Sequence, residues 1–314
     1  MKRIKVKKHV KKLKFLFQRQ FPELWFWTVN LRVKILNYQE YKKILREYRE
    51  LVLNDEQKKC IDYIKKNGPA FRPYSWAKEY MCNSVKVYTD RERSMNYVMH
   101  NNRKLYFPSG WAKSDIFKLY NELCLEQDNR SAHCYFNTDF CIDKDSAFVD
   151  VGAAEGIIAL DNIERVSKCY LIESNPDWIT ALQATFAPYK DKVIIIPRIA
   201  SEVSDKQSVT LDELLKDEKD ICVKIDVEGN EMSVLNGMKG ILATADDRKI
   251  KIAVCVYHKW NDEKVISEML KDYLENVSIA PNYLCMFKDF ENNEIVQGKM
   301  PYLRHGVLRA WDFL

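Results

Sequence analysis

The sequence predicts an α/β fold: a doubly wound, mostly parallel sheet over residues 146–314 behind an N-terminal, mainly helical cap region. Three observations predict it. From Ala147 onward, short apolar runs alternate with helical patterns. The first run, Ala147-Phe-Val-Asp-Val151, passes through the turn Gly152-Ala-Ala-Glu-Gly156 straight into a helical segment. The second run, Cys169-Tyr-Leu-Ile-Glu-Ser174, ends on an acid, Glu173, 21 residues after Gly152. Strands separated by helices pair in parallel and carry helices on both faces.

Taken in order, residues 1–36 form a basic and aromatic arm, with eleven Lys/Arg against the single Glu23. Val10, Leu13 and Phe17 share a helical face among lysines, which suits a helix lying on an anionic membrane surface or, equally, a solvated tail. Residues 37–145 read as a cap domain. Its first part, Tyr38 to Lys66, is a charged amphipathic helix with Ile44, Leu45, Tyr48, Leu51 and Val52 on one stripe, stopped by Asn67-Gly-Pro69. Residues 70–145 are irregular and aromatic. Trp76, Tyr106, Trp111 and Tyr135 could stack on sugar rings, although most such rings fill cores. After the first strand come a helix Ile157 to Val166, the second strand, and a helix Pro176 to Ala187 with Pro at its start. Then follow a strand Lys192 to Pro197, a helix Leu211 to Lys216, a strand Ile221 to Val227 and a helix Asn230 to Leu242. A fifth strand, Lys251 to Tyr257, leads into a helix Asp262 to Leu274, and Tyr283 to Phe287 and Gly306 to Trp311 read as further strands.

The Gly-rich turn lets a nucleotide-like ligand approach bare backbone, and Glu173 stands where a carboxylate grips both hydroxyls of a ribose. A dinucleotide site favours G-x-G-x-x-G, yet Ala154 holds the second glycine position. Carboxylates at Asp150 and Glu155 would repel a pyrophosphate and suit the ammonium and sulfonium of S-adenosylmethionine. The fourth strand also breaks the apolar rule for buried parallel strands. Lys224, Asp226 and Glu228 alternate onto one face, which is costly unless they pair or serve a ligand. Tyr257 and His258 end the fifth strand beside these acids if the strand order is sequential. A histidine there is placed to take a proton from a hydroxyl near neutral pH. Lys224 is the rival base, since burial can lower a lysine pKa into range.

Composition narrows the partners. The net charge of +5 is carried by the arm, because residues 37–314 sum to −5, so nucleic acid is not the expected substrate. No apolar run is long enough to span a bilayer. Nine cysteines without a C-x-x-C pair fit reduced thiols in the cytoplasm. No His/Cys pair has zinc spacing, and nothing supports Mg²⁺ on Asp226 and Glu228, so no metal is expected.

Four segments in order resemble the FkbM-type methyltransferases: Phe148-Val-Asp-Val-Gly-Ala-Ala-Glu-Gly156, Tyr170-Leu-Ile-Glu-Ser-Asn-Pro176, Thr210-Leu-Asp-Glu-Leu214 and Val223-Lys-Ile-Asp-Val-Glu-Gly-Asn-Glu231. The resemblance covers about residues 147–311; residues 1–145 carry none. It implies a class I, Rossmann-like fold with seven strands, the last antiparallel and falling at Gly306 to Trp311. It implies S-adenosylmethionine as cofactor and O-methylation, often of sugars or natural-product hydroxyls. By position Asp150, Gly152, Ala153, Glu155 and Gly156 would surround the methionine part, Glu173 and Ser174 the ribose side, and Asp226, Glu228 and His258 the methyl-transfer site. The acid that often contacts adenine is not evident, and Ser174, Asn175 or Ala200 could border the base. The competing readings are a nicotinamide-dependent sugar oxidoreductase and a non-catalytic glycan- or membrane-associated protein on the same fold.

Overall fold

The structure, a computed structural model, describes residues 39, 41–82, 85–286, 288–291, 294–297 and 299–312. The basic arm 1–36, and with it the reading of a membrane-surface helix, lies outside the described residues. The chain forms two compact units, Met1–Ala70 and Phe71–Leu314.

In the first unit the single long helix expected from Tyr38 to Lys66 is two. Residues 41–49 are helical, the chain opens over 51–54, and a new helix runs Asp55–Asn67. Asn54 explains the restart. Its side chain accepts the N–H of Gln57 at 2.8 Å while Gln57 Oε1 accepts the N–H of Asn54 at 3.1 Å, a reciprocal cap that satisfies two orphan donors. Ile44, Tyr48, Cys60, Ile61 and Ile64 are buried, whereas Leu51 and Val52 of the expected stripe are exposed.

The second unit is built on a seven-stranded sheet. Residues 71–145 are more regular than their composition suggests. Strands β1 (Val87–Asp90), β2 (Met95–His100) and β3 (Arg103–Tyr106) form an antiparallel meander, followed by a helix Lys113–Glu126. The turn Asn101-Asn102, with φ of 47° and 63°, joins β2 to β3 as a primed hairpin turn does. The sheet proper begins with β4 (Ala147–Val151), β5 (Lys168–Ile172) and β6 (Val193–Ile196). The short pair β7 (Ile199–Ala200) and β8 (Ser208–Val209) stands apart from it. The sheet continues with β9 (Asp220–Ile225), β10 (Lys249–Cys255) and β11 (Asn276–Ile279). Two small ribbons follow: β12 (Leu284–Cys285) pairs with β15 (Leu303–Arg304), and β13 (Lys288–Glu291) with β14 (Glu294–Gln297). Strand β16 (Val307–Asp312) closes the sheet in the order β11-β16-β10-β9-β4-β5-β6.

Strands β6, β5, β4, β9 and β10 are parallel, and β16 runs antiparallel between β10 and β11. The predicted antiparallel last strand is therefore present. The segment Tyr283 to Phe287 contributes only β12, outside the sheet, and the seventh strand is β11, whose mixed Asn-Val-Ser-Ile pattern hid it. Two cores flank the sheet because alternate residues face opposite ways. Val149, Val151, Val223, Ile225, Ile252 and Val254 face one. Phe148, Leu171, Cys222 and Ala253 face the other, where Phe107, Ile116, Leu123 and Tyr135 from the segment before the sheet also pack. Composition set a boundary at residue 146, where alternation begins; packing joins residues 71–145 to the sheet. The order of strands reverses between β4 and β9, and beyond the carboxyl ends at such a reversal open sheets bind ligands.

Candidate active site

Gly152 follows β4 with φ +75°, and a Cβ on it would lie 2.0 Å from the carbonyl oxygen of Asp226. Only a glycine lets the end of β4 come so close to the end of β9. The same close approach sets up the N–H of Asp226, which donates to the Val151 carbonyl at 3.1 Å. Ala154, at φ 44°, turns its N–H toward β5, where Glu173 Oε2 accepts it at 3.0 Å. Glu173 Oε1 accepts from the N–H of Asn175 at 2.7 Å, so both carboxylate oxygens are aimed by backbone donors. Beside this carboxylate lies a cavity of about 390 Å³, lined in part by Gly152, Ala154, Glu173, Ser174, Asp226 and Glu228. That size suits a small cofactor. Arg198, Ile199 and Ala200, just past β6, form its far wall. Of the three residues considered for the adenine border, Ser174 and Ala200 line the cavity, while the Asn175 side chain caps the next helix by accepting the Asp177 N–H at 2.9 Å. Nothing in the type or spacing of Arg198 and Ile199 marks them in the sequence as cavity-lining residues.

A second chamber of about 200 Å³ shares Gly152, Ala154, Asp226 and Glu228 with the first, and its other walls include Glu126, His133, Tyr135, Asp150, Glu155, Lys224 and Tyr257. The alternating charges of β9 are thus resolved. Lys224 Nζ pairs with Asp150 at 2.9 Å and donates to the Gly152 carbonyl at 2.7 Å, rather than pairing with Asp226. Burial works against the Lys224 charge, but Asp150 and Asp226 outweigh it and hold the ammonium firmly protonated. A lysine so held cannot accept a proton at neutral pH; Lys224 instead ties the Gly-rich loop to the sheet. Burial favours the neutral form of Asp226, but the charges of His258 and Lys224 prevail and keep it ionised; Tyr135 O–H donates to its Oδ2 at 2.6 Å. Burial pushes the Glu155 carboxyl up to about 8.

His258 does not open onto either chamber. It is 1% exposed, with Nδ1 2.9 Å from Glu231 Oε1 and Nε2 3.4 Å from Glu228 Oε2 and 3.6 Å from Asp226 Oδ1. Burial pulls its pKa down, but Glu228, Glu231 and Asp226 outweigh burial and raise it to about 10. These three carboxylates favour the imidazolium, and the geometry sets His258 against the turn after β9 and not in the wall of either chamber. That turn needs binding: Glu228 has φ 53° and Gly229 φ 96°, and Glu231 Oε1 accepts the N–H groups of Val227 (3.1 Å) and Gly229 (3.2 Å). Glu231 closes the resembling motif, and nothing in its type or spacing marks it in the sequence as the partner of these backbone groups.

Asp226, Glu231 and His258, and separately His133, Asp226 and Cys255, bring ligand atoms within 4.8 Å of one another. Of the four aromatics considered for sugar stacking, only Tyr135 reaches the site. Tyr106 is buried elsewhere, Trp111 packs edge-on to Trp178 at 5.4 Å, and Trp76 stacks on Tyr74 at 5.9 Å.

A doubly wound sheet with an antiparallel last strand, a glycine turn against Asp226 and an acid aimed by backbone donors beside a cavity are the arrangement the FkbM resemblance implies. Residues 198–277 match the family model described as the methyltransferase FkbM domain, a span that contains the third and fourth of the resembling segments, and S-adenosylmethionine is the cofactor of that family. No curated protein matches the chain. Among solved structures the chain is similar to methyltransferase FkbM from Methylobacillus flagellatus KT, at 14% identity over 87% of this chain and 70% of that one, TM-score 0.41. It is also similar to an S-adenosylmethionine-dependent O-methyltransferase from Thermotoga maritima, at 12% identity over 55% and 61%, TM-score 0.35. A third likeness is to precorrin 8w decarboxylase from Methanobacterium thermoautotrophicum, at 17% identity over 66% and 94%, TM-score 0.36. Among the described residues no helix is long and apolar enough to cross a membrane.

Proposed function

We propose that the protein transfers the methyl group of S-adenosylmethionine to a hydroxyl of a small molecule or saccharide. The observation that carries this reading is that two chambers meet across Gly152, Ala154, Asp226 and Glu228. The larger suits the nucleoside, with Glu173 on the ribose hydroxyls and Ser174 beside it. The methionine part would then run past Gly152, Ala153 and Glu155, with Gly156 opening the helix behind them. Asp150 acts through Lys224, fixing the loop carbonyl at Gly152. When bound, the cofactor supplies a methyl group already activated on a sulfonium, so the chain has chiefly to align an oxygen with it and exclude water. Asp226, Tyr135 and Tyr257 give the smaller chamber hydrogen-bonding groups and aromatic walls, a combination that suits a hydroxyl-rich ring.

The test is transfer of tritium from methyl-labelled S-adenosylmethionine to a panel of methyl glycosides and simple alcohols, with amines, carbon acids and RNA beside them. Label in ether linkage supports the proposal, and label on nitrogen, carbon or nucleic acid only would overturn O-methylation. The reading also places the enzyme in the cytoplasm, where its thiols stay reduced, with the arm 1–36 on an anionic membrane surface. Equal sedimentation of full-length and arm-deleted protein with phosphatidylserine vesicles would remove the arm from that role.

A further inference from the structure

We infer that His133, backed by Glu126, is the proton acceptor of this site, a role the sequence pattern assigned to His258. The inference rests on the methyltransferase reading above. His133 belongs to a segment that the fold presses over the carboxyl end of the sheet. Arg309 on β16 donates from Nε to the Tyr135 carbonyl at 3.0 Å and from Nη2 to the Cys134 carbonyl at 2.8 Å. Gly306 admits the same segment from below, since a Cβ there would lie 2.2 Å from the Ala132 carbonyl oxygen. The ring of His133 is thereby fixed in the wall of the smaller chamber, across from the Gly152–Glu155 loop.

Its two nitrogens face different surroundings. Nδ1 is buried, has no hydrogen-bond partner among the described residues, and lies 3.7 Å from Glu126 Oε2. Glu126 is itself held by Arg72, whose Nη2 donates to Oε1 at 2.7 Å. A carboxylate behind Nδ1 favours the tautomer with its proton there, leaving the Nε2 lone pair to face Tyr257, which lines the chamber. Nε2 meets Tyr257 Oη at 3.1 Å, with Tyr135 Oη at 3.5 Å and Asp226 Oδ2 at 3.8 Å. Tyr257 completes a path. The acceptor hydroxyl gives its proton to Tyr257 Oη as Tyr257 gives its own to Nε2. The acceptor oxygen forms its bond to the methyl carbon while the carbon–sulfur bond breaks and sulfur keeps the electron pair. The positive charge lost from sulfur reappears on the imidazolium, where Glu126 stabilises it.

The electrostatics agree with the geometry. Burial lowers the His133 pKa; Glu126 and Asp226 raise it in part, while Arg72 and His258 lower it further, and the neighbouring Tyr135, Tyr257 and Cys255 are uncharged. The two histidines are driven apart by their environments, one to a fixed cation and one to a free base, the pattern expected where acid and base roles are divided. No sequence motif flags His133, because it lies in the segment without family resemblance.

Two measurements test the inference. Ring-nitrogen NMR of the full chain with S-adenosylhomocysteine, assigned by His→Gln variants, should show His133 neutral at pH 7 with its proton on Nδ1, and His258 cationic. In methyl transfer to the glycoside panel, His133→Gln should lower kcat by about a hundredfold. The KM for S-adenosylmethionine should stay within twofold, and the acid limb of the rate–pH profile should vanish. Glu126→Gln should keep that limb but move it to lower pH, since a raising charge is lost. His133 cationic at pH 7, or His133→Gln with wild-type kcat and an unchanged limb, would overturn the role. A limb near pH 8 lost in Glu155→Gln would transfer it to Glu155. Failure of the wild type to bind S-adenosylhomocysteine would instead bring down the methyltransferase reading itself.

Discussion

Replacing Gly152 by alanine strikes the contact on which the site depends, and its cost follows from two separable terms. A left-handed φ of +75° costs an alanine roughly 1–2 kcal/mol. The second term is steric. The new Cβ would start 2.0 Å from the Asp226 carbonyl oxygen, where ordinary contact begins at 3.4 Å, so the ends of β4 and β9 must part by more than 1 Å. The Asp226 N–H to Val151 carbonyl bond spans that junction, and losing a buried bond of this kind costs about 1–3 kcal/mol. Gly152→Ala should therefore lower stability by about 2–5 kcal/mol, a Tm decrease of about 5–15 °C for a domain of this size. Gly110 supplies the control, because it has φ +81° but open space around its Cβ position. Gly110→Ala should show the dihedral term alone, and wild-type affinity for S-adenosylhomocysteine. Calorimetric unfolding of both variants gives the comparison. If they melt alike, the close approach of the two strand ends does not constrain the fold and the argument for Gly152 fails.

Other consequences are open to the same methods. Lys224→Met removes the partner of buried Asp150 and should cost about 3–5 kcal/mol, most of which Asp150→Asn in the same chain should restore; a double variant as unstable as the single one would contradict the pairing. His258 has its folded pKa raised to about 10, so the stability it contributes is complete below its unfolded value of about 6.5 and is lost as pH rises through 10. Glu155, raised to about 8, makes the fold lose stability as pH rises from about 4.5 to 8. The Tm should thus fall from pH 5 to pH 10, with Glu155→Gln flattening the lower part of the curve and His258→Gln the upper; wild-type slopes in both variants would refute the assignments.

Much of the fold was legible because its signals are local. The glycine turn, the acid 21 residues on and the alternation after Ala147 each follow from backbone geometry that one sequence displays. Strand β11 and the meander β1 to β3 were not, because their side chains alternate weakly and their identity comes from pairing. At the site, the sequence marked Asp226, Glu228 and Lys224 as charges needing a reason, and marked Glu173 by its spacing. It could not say that Lys224 turns toward Asp150, or that three carboxylates would surround His258, because pKa follows from neighbours distant in the chain. Glu126 and His133 were invisible for the same reason: Arg72 holds the first, and Arg309 and Gly306, more than 170 residues later, place the second.

The central claim is that the cavity beyond β4, β5 and β9 holds S-adenosylmethionine through Glu173. Isothermal titration of the full-length protein with S-adenosylhomocysteine tests it most directly, with NAD as the competing ligand and Glu173→Ala beside the wild type. The account predicts saturable one-to-one binding of S-adenosylhomocysteine and none of NAD. Glu173→Ala should weaken the affinity at least tenfold, about 1.4 kcal/mol, from loss of charge-assisted bonds to the ribose. Binding of NAD instead, or unchanged affinity in a folded Glu173→Ala protein, would contradict it.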